Sequence, residues 1–343
     1  MSKFSYPLIG FVIILFFFFP SCHKKNPSEP SQSNMWVAIN HGLNNLQIRD
    51  IAIDPSNSKI IYVGTPEGVF RTDDAGKNWK LKNNGLTYRD ITDLEIISNE
   101  FAIILSATWG GGVFISENAG ESWTAMNNGL ADPRVSVIIA TTDINPMFYA
   151  GTETGLFNSK GKYEKWNKIE IAGGAGPITS ICINGNEPSV IYIGAKYLGL
   201  FQTNDAGLSW VQKNIGLPNT AESGFATPTD IQINPYNDQH LFLAAGWSGL
   251  FVSYDGALSW QKIATFPSGY YLRTIAIDFN KAENIYVGTT EGILYSKNAN
   301  LDWISFNDGL TTLDVRAIAI DPKDTRIIYA GTMGGGVFKY VRE

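Results

Sequence analysis

The sequence predicts an all-β fold, a seven-bladed β-propeller whose N-terminal strand closes the last blade. Three observations carry this. Seven of the nine tryptophans (Trp36, Trp79, Trp123, Trp166, Trp210, Trp260 and Trp303) recur at steps of 43, 44, 43, 44, 50 and 43 residues, the period of a repeat protein whose units each form one small sheet. Between them, short β-branched and aromatic runs alternate with turn residues, and no long stretch has the 3.6-residue period of a helix. One more step past Trp303 would fall near position 346, beyond Glu343, whereas Trp36 stands one step before Trp79. The two ends of the repeat region are therefore expected to share one blade, which removes both free sheet edges.

The elements follow in chain order. Lys3 precedes an apolar run from Leu8 to Phe19, too short to span a bilayer but the length of a signal-peptide core. The Ser21-Cys22 junction resembles a bacterial lipobox, although Phe19 and Pro20 depart from that pattern. Residues 1–21 are expected to be a lipoprotein-type signal peptide and Cys22 the lipidated residue. That would place the chain in a bacterial cell envelope, periplasmic or at the outer membrane, or secrete it if Cys22 is not modified. Residues 22–34 are polar and rich in proline and serine and read as a flexible tether. Residues 35–343 are the propeller. Cys182 lies in an apolar strand with no second cysteine there to pair with, so the ring must hold by burial.

The best-formed repeat runs from Ile48 to Leu86. Strand one is expected at Asp50 to Ile53, strand two at Ile60 to Gly64, strand three at Val69 to Thr72, and strand four from Trp79. Without gaps, the Ile51 position is filled by Leu94, Ile138, Ile181, Ile231, Ile275 and Ile318. The Tyr62 position is filled by Leu105, Tyr149, Tyr192, Phe242, Tyr286 and Tyr329. Blade seven has strands one to three within Arg316 to Tyr340, and Trp36 to Asn40 supplies the fourth.

The loop before each tryptophan resembles the Asp-box of sialidase-type (BNR) repeats, Ser/Thr-x-Asp-x-Gly-x-x-Trp. Blade one matches with Thr72, Asp74, Gly76 and Trp79; blade four with Thr203, Asp205, Gly207 and Trp210. Blade two has Asn118 before Trp123, blade five has Asp255 and Trp260 with Ala257 in place of the glycine, blade six ends on Trp303, and blade three is worn down. A carboxylate in such a loop accepts backbone N–H groups and the tryptophan fills the space between blades, so these aspartates read as structural rather than catalytic. In propellers of this kind the boxes lie on the face opposite the ligand.

The ligand-binding candidates are on that opposite face, in the strand-two-to-three turns and the strand-four-to-one connections. Trp109, Tyr197 and Trp247 fall in the former. The position just before strand one reads Arg49, Thr92, Ser136, Thr179, Thr229, Arg273 and Arg316, which crowds three arginines into blades six, seven and one; Arg89 and Arg134 lie nearby. Converging guanidiniums can clamp an anion, or can be neutralised at the rim by Asp50, Asp314, Glu67 or Glu291. The blade-five loop Pro218 to Pro228, carrying Glu222 and Phe225, is long, and Tyr270 and Tyr271 lie close to it.

Composition narrows the function. A net charge of −6 with no basic stripe excludes a nucleic-acid partner. Three histidines without ligand spacing predict no metal, and no phosphate loop or Gly-x-Ser-x-Gly is present, so no cofactor and no catalytic residue is expected. The strings Thr108–Phe114 and Thr332–Phe338 resemble turns of two-propeller xyloglucanases, and residues 35–343 resemble the photosystem II assembly and stability factors. That second resemblance implies binding of a nascent membrane protein through an arginine-rich patch. The chain is expected to be a non-catalytic, monomeric binding or assembly-scaffold module that recognises a protein or glycan polymer on the face opposite the boxes. The alternative is a carbohydrate-binding or glycoside-hydrolase-like propeller. Contact with a membrane is expected only through the lipid anchor.

Overall fold

The computed structural model describes residues 34–343 apart from 98–102, 142–145, 162–163, 175, 221–223 and 299–301. The signal segment 1–21, Cys22, nearly all of the tether and Glu222 lie outside the described residues. The described chain forms a seven-bladed β-propeller, seven four-stranded antiparallel sheets in sequential order with one extra two-stranded hairpin, Asn219–Thr220 with Gly224–Phe225. Blade one is Asp50–Ile53, Ile61–Thr65, Gly68–Thr72 and Lys80–Leu81. Blade seven is Val315–Ile320, Ile327–Thr332 and Gly336–Val341, completed by Val37–Ala38 in the register Val37 to Lys339 and Ala38 to Phe338. The fourth strands pair over only two residues, shorter than the Trp36–Asn40 span expected.

The core lies between blades. Strand two is buried on both faces, so Ile61–Thr65 and Ile285–Thr289 read as unbroken buried runs. Ile51 packs with Tyr329 and Val337 of blade seven, and Leu94 with Tyr62 and Val69 of blade one. Tyr62 and Tyr149 donate their hydroxyls to Ala119 and Ala206 in the loop of the following blade, each at 3.1 Å.

Five of the seven periodic tryptophans fasten their blade to the one before it. The indole Nε1 of Trp79, Trp123, Trp166 and Trp260 donates to the carbonyls of Ile39, Lys82, Met126 and Lys213 at the fourth strand of the preceding blade, at 2.5–3.0 Å. Trp36 does the same across the closure, to Phe306 of blade six at 2.7 Å. Trp210 instead donates within its own loop, to Gly207 at 3.2 Å, and is only half-buried.

A further repeated device comes four residues after the tryptophan. Asn83, Asn127 and Asn214 each accept the N–H that opens strand three (Val69, Val113, Leu200) and donate to a carbonyl of the strand-two-to-three turn. Asn40 repeats both bonds on blade seven, accepting from Val337 at 2.7 Å and donating to Gly335 at 2.8 Å. The N-terminal segment thus docks as a complete repeat end.

In the strand-three-to-four loops, Asp74 accepts from Thr72 Oγ1, Asn78 N and Asn78 Nδ2 at 2.7–2.8 Å, and these bonds hold its carboxyl at about 2. Asp205 and Asp255 are bonded alike by Ser209 and Ser259. Asn118 plays the same part with Ser122. Gly76 has φ +90° and Gly207 φ +92°, but a Cβ on Gly76 would lie 2.2 Å from Ile39 Cδ1, whereas one on Gly207 would meet nothing nearer than 3.5 Å.

Two stability outcomes follow from the closure and the loop geometry. Trp36→Ala is expected to cost about 3–5 kcal/mol, matching Trp123→Ala, because both empty the same kind of inter-blade site. A negligible loss in denaturant unfolding for Trp36 alone would contradict the closed ring. Gly207→Ala is expected to cost about 1–2 kcal/mol for its left-handed backbone, and Gly76→Ala measurably more.

Candidate functional site

The seven positions picked out just before strand one all line a single cavity of about 370 Å³, the mouth of the central channel. In blades two, three, four, six and seven the inner strand starts earlier than expected, and this residue is the bulged one (Thr92, Ser136, Thr179, Arg273 and Arg316). A bulge turns its side chain out of the ladder, here toward the channel. Thr92, Ser136, Thr179 and Thr229 donate to the main-chain carbonyls of Val135, Ile178, Pro228 and Leu272 in the following blade, at 2.5–3.0 Å.

Two of the three arginines also work between blades. Arg49 pairs with Asp90 of blade two at 2.8 Å, and Arg273 with Asp314 of blade seven at 2.9 Å. Arg316 shares Asp314, also at 2.9 Å. Asp314 is therefore the neutralising partner the sequence allowed for, but Arg49 takes Asp90 rather than Asp50, Glu67 or Glu291. Arg134 forms a two-point pair with the buried Asp132 at 3.0 and 3.1 Å. Arg89 is exposed beside Asp90.

Behind the arginines lie four carboxyls, of which the sequence pointed only to Asp50, and to that one as a rim counter-charge. Asp50 accepts the N–H of Leu94 at 3.0 Å, Asp93 that of Ile138 at 2.7 Å, Glu95 that of Ala140 at 3.3 Å, and Asp230 that of Ile275 at 2.7 Å. Each reaches from an inner strand to the unpaired edge of the next blade's inner strand. Asp50, Asp93 and Asp230 occupy one repeat position, so the gap-free alignment contained the signal. Burial in the narrow channel pushes Asp50 and Asp230 up to about 6 and Glu95 to about 8, against the opposing pull of their backbone bonds; burial and the neighbouring Asp50 raise Asp93. All four keep part of their surface on the channel, a narrow polar well rather than dry core.

The aromatic candidates separate into two places. Tyr197, Trp247 and Tyr271 line one cleft of about 350 Å³ on blades four to six, with Phe225 and Pro218 from the blade-five insertion. Trp247 is 71% exposed and Tyr197 52%. Trp247 meets Tyr271 edge to face at 5.3 Å, and the Arg273 guanidinium lies 4.9 Å over the Tyr271 ring. Trp109, 39% exposed, is in the turn of blade two and bridges to Arg134. Tyr270 packs against the core of blades five and six instead of the cleft. Among the described residues no group of three or more His, Cys, Asp or Glu side chains is arranged to hold a metal.

No family model matches this sequence, and no curated protein resembles it. Solved structures do resemble the fold. The glycoside hydrolase 74 xyloglucanase from Xanthomonas campestris superposes with a TM-score of 0.69 at 16% identity, over 89% of this chain and 53% of that one. The extracellular domain of a putative one-component system from B. thetaiotaomicron gives 0.71 at 17%, over 89% and 39%. YCF48 bound to D1 peptide gives 0.66 at 12%, over 90% and 96%. This chain therefore spans about half of the xyloglucanase, about two fifths of the extracellular domain and nearly all of YCF48. At such identities the likeness is one of fold.

The channel carboxyls make stability depend on pH. Glu95 binds its proton more tightly folded than unfolded, so its contribution is complete below about pH 4.5 and is lost as pH rises through about 8. Asp50 and Asp230 act in the same direction between about 3.8 and 6. The thermal midpoint is expected to fall from pH 5 to 8.5, and Glu95→Gln to flatten the upper part of that fall while raising the midpoint at pH 8.5. An unchanged slope in the variant would refute this assignment.

Proposed function

We propose that this chain is a non-catalytic, extracytoplasmic binding or assembly-scaffold propeller that recognises a protein or polymer on the face opposite the strand-three-to-four loops. The carrying observation is the division of labour between the faces. The loops on one face are closed on themselves by Asp74, Asp205 and Asp255. The turns of the other hold Trp109, Tyr197 and Trp247 at the surface. Large aromatic side chains held rigidly in solvent are the usual anchors of a recognition surface. In this reading the strand-three-to-four loops are Asp-boxes of the BNR type with a structural carboxylate. Residues 1–21 direct export, and Cys22 carries the lipid that anchors the propeller, as a monomer on its tether, to the envelope.

A carbohydrate-binding or glycoside-hydrolase-like role is the second reading. It is favoured by the channel carboxyls, since a carboxyl with a raised pKa can stay protonated and act as a general acid. Against it, Asp50, Asp93, Glu95 and Asp230 are each engaged by a backbone N–H of the next blade. The YCF48 structure with a D1 peptide and the xyloglucanase support, respectively, the protein and the glycan side of the proposal.

The test uses photo-crosslinkers in the full chain in its native envelope, one at Tyr88 beside the Trp109 turn and one at Leu208, which is 88% exposed on the opposite face. Adducts are expected from Tyr88 and not from Leu208, and the reverse pattern would sink the choice of face. Incubation with a polysaccharide panel is expected to release no new reducing ends; release abolished by Glu95→Gln would make the hydrolase reading correct. Cys22→Ala is expected to move the protein from the membrane to the soluble fraction.

A further inference from the structure

The cleft on blades four to six has a more specific shape than a general recognition face requires. Tyr197 adopts φ +66°, a region that is costly for a bulky L-residue by about 1–2 kcal/mol. The corresponding turn positions of blades two and seven are glycines, Gly110 at φ +124° and Gly334 at φ +113°. Blade four therefore places a tyrosine where glycine would serve the turn, and leaves its side chain 52% exposed, so burial offsets little of the strain. The surroundings hold it there. Thr227 Oγ1 accepts the Tyr197 N–H at 3.2 Å, and the Tyr197 carbonyl accepts from Phe225 of the inserted hairpin at 2.8 Å. Strain that the neighbouring structure enforces, with no gain to the core, points to a use for the side chain.

Trp247 of the next blade is likewise presented and braced, exposed and held at its edge by Tyr271. Gly224, Ala226, Ala245 and Gly246 line the same cleft. Such small residues add no side chain that would hold a ligand away from the two rings. The hydroxyls of Thr227 and Ser248 line the same cleft, and the Lys196 ammonium lies 5.0 Å over one face of the Tyr197 ring, leaving the other for a ligand. Flat aromatic rings rimmed by hydrogen-bonding groups match a pyranose whose hydroxyls are equatorial, because such a sugar has an apolar C–H face and a polar perimeter.

We infer that this cleft binds a polysaccharide chain, with one sugar ring stacked on Trp247 and another on Tyr197. The inference rests on the turn face being the binding face, and it adds the ligand class and the subsite. Pro218 and Gly224 to Thr227 of the blade-five insertion, whose strand pair has no counterpart among the described residues of the other blades, form one side of the cleft.

The experiment titrates the full chain with cellohexaose and, separately, with hexaproline, followed by tryptophan fluorescence and calorimetry. Saturable cellohexaose binding is expected. Trp247→Ala should weaken it about tenfold and Tyr197→Gly about fivefold. Tyr197→Gly should leave the thermal midpoint unchanged or raised, since glycine relieves the backbone strain; a merely structural Tyr197 would give the opposite. Absence of cellohexaose binding, or binding that survives both substitutions, overturns the inference. Hexaproline binding lost in Trp247→Ala would also overturn it, by assigning the cleft to a polypeptide while leaving the binding face in place. Cellohexaose binding with crosslinks only from Leu208 would instead uphold the cleft and remove the broader reading.

Discussion

No blade of this protein can bury its own apolar faces, and the whole structure depends on that constraint. Each sheet has one face against the blade before it and one against the blade after, so stability is a sum of seams rather than of sheets. The tryptophan at the start of each outer strand is the largest piece of such a seam, and in five of the seven its indole N–H fixes it to the previous blade's backbone. The seam between blades six and seven is reinforced from the other chain end. Arg342 pairs with the fully buried Asp278 at 2.7 Å and with the Tyr286 hydroxyl at 3.0 Å, beside the cluster of Trp36, Phe306 and Tyr340. A buried aspartate with a bonded guanidinium is tolerable where an unpaired one would not be.

Closing the ring creates a second problem at the axis. The free edge of every inner strand faces the channel with N–H and C=O groups that no further strand can pair. The protein answers blade by blade, with hydroxyls at Thr92, Ser136, Thr179 and Thr229 that donate to carbonyls and with carboxyls at Asp50, Asp93 and Asp230 that accept N–H groups. At blades six, seven and one the hydroxyl position holds an arginine paired with an aspartate instead. The chemistry of the channel mouth is thus first a solution to closure, and the arginine sector is an inter-blade brace. A ligand there would have to compete with carboxylates already in place, which is a weaker clamp than free guanidiniums would make.

The blade-four-to-six cleft has no such debt to the ring. Tyr197 and Trp247 are exposed and Tyr197 is strained, while Phe225 and Ala226 of the neighbouring insertion also pack into the core of blades four and five. Local folding does not require these exposed rings, which makes this sector a better place for a ligand than the more heavily charged channel.

Much of the fold was legible in the sequence, because the devices that make a blade recur at fixed spacing. The Trp period, the Tyr62 column and the carboxylate loops each repeat an environment, and repetition lets one copy interpret another. The same alignment held Asp50, Asp93 and Asp230 in one column and Asn40, Asn83, Asn127, Asn214 and Asn307 in another, but neither column says what it bonds to until the neighbouring blade is in place. Which arginines find which aspartates, how far Trp247 stands from the surface, and that Tyr197 and Trp247 share a cleft were decided only by tertiary structure. The physical reason is that residue spacing sets what lies along a strand, whereas charge pairing and exposure are set across the seams, between residues about 40 positions apart in the chain, or, at the closure, at its opposite ends.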